Sequence, residues 1–283
     1  MINRYLVIIG TFILFTTSST HAQDFVFQTF KDTRVINAHS VETVPDRKLD
    51  FRIGHRFGDI TNGWNTLYGL ENAADVLFSF EYGISDELTI GIGRTKGAGP
   101  VRALVSPSIK YRILHQRISG VMPISLTLFG VTSISTTKSD GREGSLGNFT
   151  QFDHRMSYTV QALLARKFSD RFSLQIVPGY THRNLVSFDD VNGIFSVAAA
   201  TRIQINKVFG IIADATFPLA NRPSGYYPAI GVGLEIETGG HIFQINFTNA
   251  MGIIENDYIP YTSSNWGDGQ FRLGFTISRL FNL

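Results

Sequence analysis

The chain of 283 residues has no cysteine, only four methionines and no long uninterrupted run of apolar residues. The lack of cysteine excludes disulfide bonds, thiolate metal sites and a lipid anchor on an N-terminal cysteine. Beyond the N-terminus, polar residues break every apolar run within a few positions, so no spanning helix is predicted. The net charge is only +2, and this balance gives no reason to expect nucleic acid as a partner.

The N-terminus has the layout of a cleavable secretory signal. Met1–Arg4 is short and positive, Tyr5–Phe15 is apolar, and a polar stretch then leads to a small-residue site at Ala22. The apolar core is shorter than the roughly 20 residues that a transmembrane helix needs. We therefore expect residues 1–22 to be a signal peptide and the protein to be exported.

The rest of the chain is rich in aromatic residues, with 23 phenylalanines and ten tyrosines, which favours β structure. From Leu49 onward, segments of about ten residues alternate between apolar and small or polar side chains, the period of a strand. Phe78, Phe80 and Tyr82 are one such series. Twelve strands are predicted, near residues 49–57, 76–84, 88–96, 103–114, 121–136, 154–168, 172–183, 194–205, 208–217, 227–237, 241–249 and 270–280.

The lengths of the connections carry a second signal. Tight turns are predicted at 85–87, 169–171, 206–207 and 238–240. Longer links alternate with them, at 58–75, 97–102, 137–153, 184–193, 218–226 and 250–269. Short periplasmic turns and long extracellular loops are typical of outer-membrane barrels, which places both termini in the periplasm.

The two faces of the predicted sheet differ. One face is apolar, whereas the other consists mostly of Gly, Ser, Thr, Ala, Asn and Gln, which suits a hydrated lumen better than an outer face in water. Aromatic residues lie near strand ends, where an aromatic girdle belongs: Tyr82, Tyr111, Phe168, Phe172, Tyr180, Tyr226, Tyr227 and Phe271. Open sheet edges are not tolerated in lipid, so the sheet must close.

We therefore predict an all-β protein: a transmembrane antiparallel up-and-down β-barrel of about 12 strands, residues 49–283, in the outer membrane of a Gram-negative bacterium. The alternative is a secreted soluble β protein. The partners expected of such a barrel are outer-membrane lipids, lipopolysaccharide and the outer-membrane assembly machinery.

Several stretches of the sequence resemble a known family. They are residues 29–43 (TFKDTRVINAHSVET), 49–59 (LDFRIGHRFGD), 69–73 (GLENA) and 80–94 (FEYGISDELTIGIGR). The chain is similar here to an uncharacterised Bacteroidota family of membrane-bound β-barrels, a domain of unknown function. The resemblance implies the same fold and location, and it brings no catalytic residues.

Residues 23–48 do not alternate cleanly and carry many charges. The segment is either an ordered periplasmic lead-in or a plug that folds into the lumen, since barrels are often occluded by extra elements. The plug hypothesis is motivated by the adjoining first strand, whose predicted inward positions include Asp50, Arg52 and Arg56.

The alternation predicts a set of charged residues in the lumen, with six cations and three acids: Arg52, Arg56, Glu81, Lys110, Arg112, Arg202, Asp214, Glu235 and Arg272. One hypothesis is an open pore that prefers small anionic solutes, because rings of Arg and Lys favour anions. The other is that these charges pair across the lumen and fill it. A twelve-strand barrel lies between eight-strand barrels, which side chains fill, and 16–18-strand porins with open channels.

One pattern suggests an enzyme. His182 lies near the end of the seventh strand on its predicted lipid-facing side, and outer-membrane phospholipases place a His and, two positions later, a nucleophilic Ser on that face. Here that position is Asn184, and Ser187 lies in a predicted loop. We therefore predict no enzyme, no catalytic residues and no cofactor, and a lipid hydrolase remains an alternative.

The loops supply the remaining hypotheses. Surface binding through 58–75, 137–153 and 250–269, which contain Trp64 and Trp266, is a further alternative to a channel or an envelope scaffold. Asp189-Asp190 and Glu255-Asn256-Asp257 are acidic spots that we expect to be solvated loops instead of metal sites. No metal site is predicted.

Overall fold

The structure is a computed structural model, and it describes residues 25–97 and 101–283. The expected signal peptide, residues 1–22, lies outside the described residues. Twelve antiparallel strands form one closed barrel, which confirms the predicted fold. The strands are β1 Lys48–Phe57, β2 Ala73–Gly83, β3 Leu88–Thr95, β4 Leu104–Leu114, β5 Ser125–Ser135, β6 Met156–Ser169, β7 Phe172–Arg183, β8 Gly193–Gln204, β9 Phe209–Leu219, β10 Ala229–Thr238, β11 His241–Thr248 and β12 Arg272–Asn282.

The first and last strands close the barrel. β1 pairs with β2 on one side and with β12 on the other, with a register that runs from Lys48 opposite Asn282 to Arg56 opposite Gly274. Every other strand pairs with its neighbours in the sequence. The up-and-down order thus leaves no strand edge unpaired, as a lipid environment requires.

The side chains alternate between the two faces of the wall. Phe78, Phe80 and Ile92 are among many large apolar residues on the outer surface, whereas Ser79 and Glu81, which alternate with Phe78 and Phe80 on β2, point inward and are buried. This alternation puts an apolar surface against the acyl chains and a polar surface around the lumen. Among the described residues, no helix is both long and apolar enough to cross a membrane.

The two ends of the barrel differ. Connections at one end, which we call the short-turn end, are residues 84–87, 115–124, 170–171, 205–208 and 239–240. The long-loop end carries 58–72, 96–97, 101–103, 136–155, 184–192, 220–228 and 249–271. The long loops contain the 3-10 turns Ile60–Asn62, Trp64–Thr66, Asp153–Arg155 and Trp266–Asp268, and the helix α1, Glu255–Tyr261. β1 begins and β12 ends at the short-turn end.

Two segments of the chain fill the lumen. A twelve-strand barrel with the usual spacing and tilt is about 24 Å across between backbone atoms, too wide for wall side chains alone to fill. Residues 25–47, the N-terminal segment, enter at the short-turn end, where Phe25 stacks on His115 with ring centroids 4.4 Å apart. Residues 249–262, the inward loop, descend from the long-loop end and include α1, which packs against β5, β6, β7 and β9.

Apolar contacts hold both segments against the wall. Phe30, Val35, Ile36 and Val41 of the N-terminal segment belong to a buried cluster that includes wall residues such as Leu77. In the inward loop, a second cluster joins Ala250, Tyr258 and Ile259 to the wall residues Ile194 and Ala229.

The inward loop corrects one prediction. Glu255-Asn256-Asp257 was expected to be a solvated acidic loop, and this expectation is wrong, because all three residues are buried inside the barrel. The physical reason is that the same loop carries Ile253, Ile254, Tyr258 and Ile259, and burial of these side chains favours an inward position.

Gly83, at the end of β2, lies against the backbone of the N-terminal segment. A Cβ on this residue would overlap the carbonyl oxygens of Val44 and Pro45. We expect Gly83→Val to displace this end of the segment and to raise amide hydrogen exchange of residues 29–44, at a cost of about 1–3 kcal/mol. Gly130→Val is the matched control, because the nearest atom to a Cβ there is Ile109 Cγ2 at 3.6 Å. Equal exchange in the two variants would contradict the close contact at Gly83.

Candidate functional site

The lumen contains all nine charged residues that the sequence singled out. Each lies at an inward position of its strand: Arg52 and Arg56 on β1, Glu81 on β2, Lys110 and Arg112 on β4, Arg202 on β8, Asp214 on β9, Glu235 on β10, and Arg272 on β12. Among them, Arg202 Nε donates to Glu235 Oε1 at 2.6 Å. Most of the others contact the N-terminal segment or the inward loop instead of one another.

Arg52 binds the carboxylate of Asp32 in the N-terminal segment. Both terminal nitrogens of Arg52 donate to Asp32, with Nη1 2.8 Å from Oδ2. Arg52 Nη2 also donates to Thr33 Oγ1 at 2.9 Å and to Asp50 Oδ2 at 3.0 Å. Arg52 is fully buried. Such a bidentate, charge-assisted pair fixes both the position and the orientation of the carboxylate.

The cations of β4 bind the same segment. Lys110 Nζ donates to the carbonyl oxygens of Thr33, Ser40 and Glu42 at 2.9, 3.2 and 3.1 Å. Arg112 Nη2 lies 3.3 Å from Glu42 Oε2. The three donors of the ammonium group are thereby occupied by backbone acceptors of the N-terminal segment.

Asp214 binds residues 36–38, which we call the tip of the N-terminal segment. Its Oδ2 accepts the backbone N–H groups of Ile36, Asn37 and Ala38 at 3.0, 2.6 and 2.9 Å. Its Oδ1 accepts Asn37 Nδ2 at 2.6 Å. Consecutive backbone N–H groups that converge on one anion form a nest, so this carboxylate fixes the backbone of the tip.

The two luminal segments meet at Arg34. Its Nη2 lies 3.0 Å from Glu255 Oε2 and 2.8 Å from His39 Nε2, and its Nη1 donates to the carbonyl oxygen of Ile253 at 3.2 Å. Burial, together with nearby Arg34, holds the pKa of His39 well below its ordinary value, so the ring is neutral and accepts from Arg34. Burial also raises the pKa of the Glu255 carboxyl.

Arg56 also contacts both segments. Its Nη2 donates to Asn37 Oδ1 at 2.7 Å, and its Nη1 donates to the carbonyl oxygen of Gly252. A cavity of about 20 Å³ remains near Arg34 and His39, large enough for roughly one water. The N-terminal segment and the inward loop thus occupy the lumen where they meet.

The buried charges are almost balanced. Among the described residues, the strands bury six cations and five acids: Arg52, Arg56, Lys110, Arg183, Arg202 and Arg272, against Asp50, Asp75, Glu81, Asp214 and Glu235. The luminal segments bury one cation and three acids: Arg34, against Asp32, Glu255 and Asp257. The buried side chains of the wall thus carry a slight excess of cations, whereas those of the two segments that fill the lumen carry an excess of acids.

A larger cavity of about 800 Å³ opens at the short-turn end. The N-terminal segment lines it with Phe25, Phe27, Lys31 and Asp32, and the wall contributes residues such as Asp50, Arg112 and Ser278. We call this space the vestibule. It reaches the Arg52–Asp32 pair through the lining residues Asp32 and Asp50.

The residues behind the enzyme hypothesis are not assembled into a catalytic site. His182 faces outward on β7, with Nδ1 3.5 Å from the hydroxyl of Tyr180. Asn184 Nδ2 donates to the carbonyl oxygen of Asp153. Among the hydrogen bonds of the described residues, none joins His182 to Ser187.

The acidic spot at Asp189-Asp190 is only partly as expected. Asp189 is exposed, but the side chain of Asp190 is buried and paired with Arg183 at 2.9 Å and Arg222 at 2.7 Å, so a solvated Asp190 is wrong. Two arginines offset the cost of burying this carboxylate. Within residues 25–97 and 101–283, no cluster of three or more His, Asp or Glu side chains has an arrangement that fits a metal ion.

Residues 30–281 match a family described as "Membrane bound beta barrel domain (DUF5777)". Among solved structures, the NanC porin is 10% identical, with a TM-score of 0.50, and the match covers 82% of this chain and 98% of the porin. The KdgM porin is 8% identical, with 83% and 99% covered and a TM-score of 0.50. An outer membrane channel from Pseudomonas putida F1 is 13% identical, with 87% and 100% covered and the same TM-score.

At these identities the likeness shows the fold alone. Among curated proteins, none matches this sequence. The family description places this barrel in a membrane.

Asp214→Asn tests the attachment of the tip. The amide loses the negative charge and keeps one acceptor oxygen, so its NH2 group faces either the backbone N–H groups or Asn37 Nδ2. We therefore expect the tip to open more readily by about 1.5–3 kcal/mol. Amide hydrogen exchange of residues 33–40 measures this change. Asp189→Asn, which removes an exposed carboxylate, is the control. Unchanged protection of the tip in Asp214→Asn would show that the carboxylate does not hold it.

Proposed function

We propose that this protein, which belongs to the family of membrane-bound β-barrel domains, is an outer-membrane channel for small solutes that its N-terminal segment and inward loop close. One observation carries the proposal. The lumen is filled by two segments that enter from the barrel ends, and most of the buried wall residues behind them are polar. Apolar wall residues such as Leu77 and Phe129 lie in the patches against which the segments pack. A polar inner wall is typical of barrels whose lumen holds water or a plug.

The composition of the inward wall supports this function. Thr127, Gln161, Gln175 and Thr181 are buried polar residues on β5, β6 and β7, and none of them is charged. Water can satisfy such side chains if the segments withdraw, because amides and hydroxyls both donate and accept hydrogen bonds. The same wall is therefore compatible with a filled and with a hydrated lumen.

The charges favour small anionic solutes. Withdrawal of the N-terminal segment removes Asp32 from Arg52 and removes the backbone acceptors of Lys110. The wall then keeps more buried cations than acids, and exposed Arg and Lys side chains in a pore favour anions. Export through a signal peptide at residues 1–22, assembly by the outer-membrane machinery and contact with lipopolysaccharide belong to the same proposal.

Removal of the luminal segments tests the channel. Three variants are compared. The first lacks residues 25–45, the second has a short Gly-Ser linker in place of residues 252–261, and the third combines both changes. In planar bilayers we expect the intact barrel to stay mostly closed, the first deletion to raise conductance and the combined variant to conduct most. Reversal potentials in a salt gradient should show a preference for anions.

Deletion of residues 141–146, in an exposed long loop, is the control and should leave conductance unchanged. Correct folding is checked by heat-dependent migration of the barrel on gels. A combined variant that folds but never conducts would overturn the channel and favour an envelope scaffold. Cation selectivity would contradict the charge assignment.

A further inference from the structure

Asp32 is an acidic side chain bound in a site that the wall itself builds. We propose that Arg52, Gln244 and Ser278 form the binding site for a solute carboxylate, and that Asp32 occupies this site in competition with the solute. The proposal rests on the channel function above and names the class of solute. It adds a ligand-binding site on the side of the lumen where β1 pairs with β12.

Donors from three neighbouring strands converge on the Asp32 carboxylate. Arg52 on β1 donates through both terminal nitrogens, Gln244 Nε2 on β11 lies 3.4 Å from Oδ2, and Ser278 Oγ on β12 lies 3.2 Å from Oδ2. All three side chains are at most 3% exposed. Because β1 pairs with β12 and β12 with β11, the three donors lie on adjacent strands of the wall. Gln244 Nε2 also donates to the carbonyl oxygen of Arg34 at 3.1 Å.

The geometry favours a single carboxylate over a larger anion. A planar guanidinium matches the two oxygens of a carboxylate in a bidentate pair. Asp50 Oδ2 already accepts from Arg52 Nη2 at 3.0 Å, so a wall acid is in direct contact with the cation of this site. A group with two negative charges, such as phosphate, would meet repulsion from Asp50 that one carboxylate meets only half as strongly.

The vestibule gives a solute access to this site. Asp32, Asp50 and Ser278 all line the cavity of about 800 Å³ at the short-turn end. Its volume is within the range of small-molecule sites, and Phe25 and Phe27 supply apolar contact surface. A small acid in the vestibule thus lies next to Asp32 and Ser278, and it reaches Arg52 when Asp32 moves away.

Competition at Arg52 would couple solute binding to opening. Asp32 precedes the residues that Lys110 and Asp214 hold, Thr33 and Ile36–Ala38. A solute carboxylate on Arg52 leaves Asp32 without its charged partner in a buried place, which weakens the hold on the segment. The solute therefore favours the conformation in which the segment has withdrawn, since it binds only that state.

A cysteine probe measures this competition directly, because the chain has no native cysteine. Ala38→Cys places a thiol at the fully buried tip of the segment. Maleimide labelling of this full-length variant is followed with sodium D-gluconate or with D-glucitol, which has the same carbon chain without the carboxylate. The measurement is repeated with Asp32→Asn added, and with Asp32→Asn, Asp50→Asn and Arg52→Gln added together, which removes the buried cation along with both acids that bind it.

We expect gluconate, and not glucitol, to speed labelling, and Asp32→Asn to enlarge that effect about tenfold, as the loss of a charged hydrogen bond implies. The added Arg52→Gln should abolish it. Equal responses to both solutes, no response to either, or a gluconate effect that survives Arg52→Gln would each overturn the carboxylate site.

Uptake of the two radiolabelled solutes into vesicles separates this result from the channel function. Uptake of both solutes at equal rates, unaffected by Arg52→Gln, would leave the channel standing and remove the site. Labelling that depends on gluconate and Arg52, without uptake of either solute, would keep the site and remove the channel.

Discussion

A sheet that crosses a membrane has to close on itself, because lipid offers no partner to an unpaired strand edge. Twelve strands meet this requirement through the pairing of β1 with β12, and closure at this strand number encloses more space than the wall side chains fill. Other features of the molecule depend on how that space is occupied. Here the chain occupies it with its own N-terminal segment and with a loop that turns inward.

The contents of the lumen are matched to the wall by charge. Arg52 and Lys110 would be costly in a dry interior, and each is satisfied by groups of the N-terminal segment. Asp214 is a wall acid instead of a cation, and it accepts hydrogen bonds from three backbone N–H groups of the tip. These contacts are polar and non-covalent, and water or a solute can replace them. Together with the apolar clusters, these contacts stabilise the filled barrel, and the proposed channel requires that they be replaced when it opens.

The sequence predicted the wall better than its contents. Period-two alternation and the alternation of loop lengths place strands within a few residues, because wall residues experience lipid on one side and the lumen on the other. The same period identifies Arg52, Lys110 and Asp214 as inward. No such period governs residues 25–47, where Asp32 is matched to Arg52 by tertiary contacts between distant parts of the chain.

The inward loop could have been recognised from its composition. Residues 253–261 combine Ile253, Ile254, Tyr258 and Ile259 with acids. An exposed loop with so many apolar side chains would form an apolar patch in water, which soluble surfaces rarely carry. What the sequence could not show is that Glu255 meets Arg34 of the N-terminal segment, since neither residue lies on a strand with a predictable register.

The central claim is that withdrawal of the N-terminal segment opens the barrel. A disulfide between Ile36→Cys and Gly231→Cys would tie the tip to β10, because a Cβ on Gly231 would lie 2.8 Å from Ile36 Cγ2. Single-channel records of this double variant, before and after reduction, test the claim most directly. The account predicts openings only in the reduced form, and openings that are equally frequent in the oxidised form would contradict it.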